Sequence, residues 1–288
     1  SIAIGYFAGF QDQSGNAIAI GVQAGQTSQA TVAIAIGYQA GFSAQGTNGI
    51  AIGALAGYSG QASGAIGIGQ QAGYNGQAVN AIGLGNLAGQ NGQRTGAVGI
   101  GFQAGATTQG TNAIAIGATA GQNSQQSGAI AIGYQSGYIG ATIGATLGQD
   151  VNAIAIGSNA GTTLQGASAI AIGTNSGSSF QGANSIAIGN FAGASYQNTS
   201  AIAIGQNAGQ NSQGNHSIAI GRSSGGATQG DAAISIGYLS GSGGQGQNAI
   251  ALGYSSGQAG QGVNAIAIGY SAGLSSQRPS AIAIGVSA

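Results

Sequence analysis

One His, three Asp and three Arg carry the charge chemistry of this 288-residue chain, which contains no Cys. His216 is followed by Ser217, and Asp231 falls near its column one repeat later. These are the residue types of a hydrolase: a base to deprotonate a hydroxyl and a carboxylate to orient the base. A solvent-facing His in the place of a repeated Asn is the simpler reading of the same three residues. Paired carboxylates would serve glycoside cleavage, but Asp150 and Asp231 stand about five coils, roughly 24 Å, apart. The run Gly67-Ile68-Gly69-Gln70-Gln71-Ala72 has the spacing of a dinucleotide-binding loop. It recurs at Gly83 and Gly99 as Ala-to-Gly drift, without the strand–helix–strand setting that gives the loop its function. Calcium-binding repeats place Asp in every turn, and three Asp cannot supply that. The chain is therefore expected to be no enzyme and to hold neither metal nor cofactor.

The remaining charges are Arg94, Arg222 and Arg278 against Asp12, Asp150 and Asp231. Three scattered Arg build no phosphate-binding surface, so nucleic acid is not expected as a partner. No apolar run reaches the roughly 18 residues of a membrane helix, and no membrane span is expected. A net charge of zero removes the repulsion that keeps soluble proteins apart and favours self-association.

Any interaction must then be built by the elements, and these are repeats. A Gly recurs every sixteenth residue from Gly5 to Gly133 and from Gly157 to Gly285, closing 18 copies of Ala-Ile-Ala-Ile-Gly or a close variant. The unit reads A-I-A-I-G-x-x-[AS]-G-x-x-x-Q-x-x-N. Alternation over four residues before a Gly is a strand with two different faces. Glycines such as Gly5 and Gly9 bracket a second short segment and provide the positive φ of a tight corner. Strand, corner, short strand and loop make one coil. The expected fold is all-β: a single parallel β-solenoid, or β-roll, over residues 1–288, with 16 residues per coil and about 18 coils. At about 4.8 Å per coil this is a rod on the order of 85 Å long. A helical solenoid would need 30 to 45 residues per repeat, and collagen a Gly at every third position.

A Gln follows the motif Gly by eight residues at Gln13, Gln29, Gln45, Gln61, Gln77, Gln93, Gln109 and Gln125; after the phase break the column resumes at Gln149, sixteen after Gly133, and the spacing of eight returns at Gln165, Gln181, Gln197, Gln213, Gln229, Gln245, Gln261 and Gln277. A primary amide has two donors and two acceptor sites, so Gln side chains stacked at the coil spacing predict a structural hydrogen-bond ladder rather than a binding strip. Asn16, Asn48, Asn80 and Asn112 recur every 32 residues, which points to duplication of a two-coil unit. Tyr238, Tyr254 and Tyr270 share one column in successive coils and predict stacked rings, or a contact stripe for sugar or another surface. The phase breaks once, between Gly133 and Gly157, predicting one enlarged coil at about residues 134–156 with the Gln column resuming at Gln149. The in-phase ends predict the mature or excised part of a longer fibre.

If Ile fills the coil, the outer sheet face is Ala; if Ala fills it, the outer face is Ile. Either leaves an uncharged apolar stripe, and large exposed apolar patches mark interfaces. Copies of this chain are expected to pack through it.

The Ala-Ile-Ala-Ile-Gly-x-x-Ala unit, with Asn or Ser before the strand, resembles the head repeats of trimeric autotransporter adhesins of the YadA type. Runs such as Ala35-Ile36-Gly37-Tyr38-Gln39-Ala40-Gly41 resemble phage and bacterial tail-fibre repeats. The resemblance spans the whole chain. It implies a left-handed β-roll, a homotrimer of chains side by side, and an adhesive fibre outside the cell or on a virion, with host or surface glycans or proteins as partners. The Gln column departs from those heads. Gln and Asn around Gly, as in Gln45-Gly46-Thr47-Asn48, resemble curli-like amyloid repeats and imply a matrix filament instead. Ice binding is a third reading, weakened by the irregular placing of Thr27, Thr107 and Thr163.

Overall fold

The computed structural model describes residues 1–138 and 148–288. It is a parallel β-solenoid of about 17 turns, each of about 16 residues, with no helix among the described residues. Eighteen strand copies bracket those turns. Residues 139–147, within the expected enlarged coil, lie outside the described residues. The chain forms two compact units, Ser1–Val151 and Asn152–Ala288.

In the first unit the main sheet runs from Ile2–Ile4 through Ile18–Ile20 and Ile34–Ile36 to Ile130–Ile132. Every partner lies one repeat away: Ile2 pairs with Ile18, Ala3 with Ala19, and Ile4 with Ile20, all parallel. The second unit repeats this from Ile154–Ile156 to Ile282–Ile284. Register and sequence period are thus one quantity. Hydrogen bonds to the next coil continue beyond the strands, as in Gly25 N to Ala40 O and Gln39 N to Val22 O, both 2.9 Å. Nearly the whole circuit of backbone is satisfied by its neighbours.

The alternation resolves with Ala inside. Ala19, Ala24, Ala35, Ala40, Ala51 and Ala56 form one buried cluster in the first unit, and Ala187, Ala192, Ala203, Ala208 and Ala219 another in the second. A 16-residue circuit encloses room for methyl groups and one amide, not for Ile, so Ile faces out. The short segment between the paired glycines, expected as a strand, is a turn: Ala24 N returns to Gly21 O at 3.3 Å, with Gln23 at φ 57°. The second strand comes later and ends on the ladder Gln, as in Thr27–Gln29, Ser43–Gln45 and Ser59–Gln61. A polar residue between two others carries no apolar alternation, which is why the strand is hidden in the sequence.

Gly at the motif corner is required by a close approach. A Cβ on Gly69 would stand 2.5 Å from the carbonyl oxygen of Gly85 in the next coil, at φ 128°. The second Gly of each pair lies under the Gln amide: a Cβ on Gly73 would stand 2.5 Å from Gln77 Oε1.

Candidate functional site

The Gln column lies within the coil. Gln29 Nε2 donates to Gln45 Oε1 at 3.1 Å, to Ile18 O at 2.8 Å and, more weakly, to Ala33 O at 3.2 Å. Its Oε1 accepts from Gln13 Nε2 at 3.1 Å. The pattern repeats with one polarity, Nε2 toward the following coil, and Gln125 reaches Gln149 across 24 residues at 3.1 Å. The column therefore keeps its order across the phase break. In the second unit it runs from Gln181 through Gln197 and Gln213 to Gln277, while the Oε1 atoms of Gln165 and Gln181 have no partner. The amides of Gln29 through Gln261 are buried, so this column is structural and offers no binding strip.

The Asn column does a different job. Asn16, Asn48, Asn80 and Asn112 all have φ between 56° and 58°, and Val32, His216 and Ala232 share that conformation. Each sits third in a four-residue turn, such as Gly46–Gly49, closed by Gly49 N to Gly46 O at 3.0 Å. Gly and Asn are favoured where the third turn residue needs positive φ. The preference for Asn and Gly at this position therefore follows from turn geometry, and where two Asn fall in successive coils they also bond, Asn248 Nδ2 donating to Asn264 Oδ1 at 3.1 Å.

The hydrolase residues do not assemble. Ser217 is buried and its Oγ donates to Gly214 O at 2.8 Å. Asp231 Oδ1 accepts from Asn215 N at 2.8 Å and from Asn215 Nδ2 at 3.3 Å. His216 is exposed on its turn. Gly67 lies in the strand Ile66–Ile68, followed by a turn rather than a helix. Among the described residues, no group of three or more His, Asp or Glu is placed to hold a metal ion, and no helix is long and apolar enough to cross a membrane. Arg94, Thr95, Thr108 and Thr111 line an open groove of about 380 Å³ together with Gly76 and Gly92.

Two features remain on the surface. The first is an Ile face: in each unit two columns, begun by Ile18 and Ile20 in the first and by Ile154 and Ile156 in the second, flank the buried Ala strand position and stand partly exposed. The second is aromatic. Tyr238 and Tyr254 stack with centroids 5.2 Å apart, and Tyr254 and Tyr270 at 5.0 Å with planes 8° apart. The Arg222 guanidinium lies 5.6 Å from the Tyr238 centroid. A second column, Phe42, Tyr58 and Tyr74, stacks at 4.9 and 5.0 Å. Sequence reading missed it, although its members are spaced by 16 and each follows a motif Gly by five. In both columns the rings cover each other's faces. A sugar, which packs on ring faces, meets an open face only at a column's end.

The chain matches no protein-family model, no curated protein and no solved structure.

Proposed function

We propose that this chain is a structural and adhesive surface fibre whose copies associate through the Ile face. The observation that carries the reading is the pair of outward Ile columns, unbroken by charge, on a sheet whose own core is filled by Ala. Solvated strand faces ordinarily carry Thr, Lys or other polar side chains, so a row of Ile is apolar area still to be removed from water. The reading adds three copies side by side, because the strand motif resembles trimeric adhesin heads, and an extracellular or virion-surface setting. Host or surface glycans or proteins would then be met by the polar and aromatic edges left uncovered.

Sedimentation of the chain at micromolar concentration tests this. A discrete species of three chains supports the reading, whereas filaments that lengthen from added seeds would favour the matrix-filament alternative. A single chain at every concentration would refute association through this face.

A further inference from the structure

The chain has no Cys, Met or Trp, so its ten Tyr are the side chains that most readily yield a single electron. Five of them stand in stacks: Tyr58 with Tyr74, ring centroids 5.0 Å apart and planes at 12°, and Tyr238, Tyr254 and Tyr270 as described above. The fold does not require rings there. Other coils place Ala118, Ser158, Thr174 and Asn190 in the column of Tyr238, and Ala106 and Gln122 in that of Tyr58.

We propose that these stacks are oxidative modification sites at which hydrogen peroxide, acting through a haem peroxidase, joins neighbouring coils by dityrosine. Each phenol gives up one electron and its hydroxyl proton. The two phenoxyl radicals form a carbon–carbon bond between positions ortho to oxygen, and the two displaced ortho hydrogens pass to the oxygens as the rings regain aromaticity. The O–O bond of hydrogen peroxide breaks as it takes up those two electrons and two protons and becomes two waters. The parallel register supplies the encounter: it holds two identical rings face to face in one chain, so coupling needs side-chain rotation rather than collision between molecules.

The surroundings rank the pairs. Tyr254 and Tyr270 are 47% and 56% exposed and nearly parallel, which suits both access and coupling. Tyr238 is 36% exposed and tilted by 30°, and the Arg222 cation over its ring opposes loss of an electron. Tyr58–Tyr74 is the second site, less exposed than Tyr254–Tyr270. Phe42–Tyr58, stacked at 4.9 Å and 7°, has one phenol too few and serves as an internal control. A Tyr254–Tyr270 bond closes a loop of one coil and restricts the unfolded chain.

The test mixes equal amounts of unlabelled and nitrogen-15-labelled chain, treats them with hydrogen peroxide and a plant haem peroxidase, digests with a broad-specificity protease and maps crosslinked peptides by mass spectrometry. The expected result is Tyr254–Tyr270 as the main pair, lighter by two hydrogens and carrying a single label type, with Tyr58–Tyr74 second. Tyr254→Phe keeps a ring in the stack and removes every crosslink of that column, while Tyr58–Tyr74 persists; circular dichroism confirms that the variant is folded. Mixed-label pairs, crosslinks dominated by Tyr6, Tyr38 and Tyr134, which lie outside the Tyr stacks, or hydroxylated Tyr without crosslinks would each overturn the proposal.

Discussion

A buried Gln amide in an apolar coil costs stability for each of its atoms left without a partner. Gln77 Nε2 donates to Ile66 O at 2.6 Å and to Gln93 Oε1 at 3.2 Å, and its Oε1 accepts from Gln61 at 3.1 Å. Gln77→Leu fills much of the volume but orphans buried groups above and below it. At about 1–3 kcal/mol for each stranded group, a loss of roughly 2–5 kcal/mol is expected in denaturant unfolding. The glycines sort themselves by what lies over them. Gly69→Ala drives a Cβ into the Gly85 carbonyl and should abolish or gravely weaken folding, whereas Gly76→Ala meets nothing within 4 Å and should cost only the left-handed backbone penalty, about 1 kcal/mol. Equal losses at the two sites in thermal melts would contradict that account. Spacing alone made the Gln ladder legible, because identical amides at one period have one sensible partner. Its burial was not legible, since alternation separates Ile from Ala without saying which side is small.

At the scale of the element, the coil is a set of tight turns joined by a three-residue main strand and a second pairing of three residues, two, or a single bridge. The turn at Ala30–Ala33 places the β-branched Val32 at φ 61°, where most other coils use Asn or Gly. Val32 is also exposed, so nothing in the interior rewards it. Val32→Asn is expected to raise the stability by about 1 kcal/mol, read as a higher unfolding midpoint with unchanged slope. The main strand was legible from its Ile alternation. The second strand was not, because its residues are Thr, Ser and Asn beside one buried Gln, held by pairing with the next coil rather than by any pattern of their own. The Asn column was visible as a period, but its cause lies in backbone conformation, which residue type only hints at. His216 stands in that same turn position, which accounts for a lone His without assigning it chemistry.

At the scale of the molecule, the repeat that satisfies backbone and amide along the coil axis leaves the Ile face unsatisfied across it. Fully burying an exposed side chain of this size contributes about 1.5–3 kcal/mol; these Ile are already largely covered by their own column, so each would gain less across the face, and a Lys in its place adds the cost of desolvating a charge. Ile52 and Ile116 point outward from strands whose central Ala is buried, so Lys at these positions leaves the Ala core intact and its aliphatic stem keeps part of the packing along the column. The most direct test is sedimentation velocity on the wild-type chain and on the double variant Ile52→Lys/Ile116→Lys, over a hundredfold range of micromolar concentration. The account predicts a discrete multi-chain species for the wild type and, for the variant, association weakened roughly a hundredfold or more with an unchanged circular dichroism spectrum. A wild-type chain that stays single throughout, or a variant that associates as tightly as its parent, would contradict it.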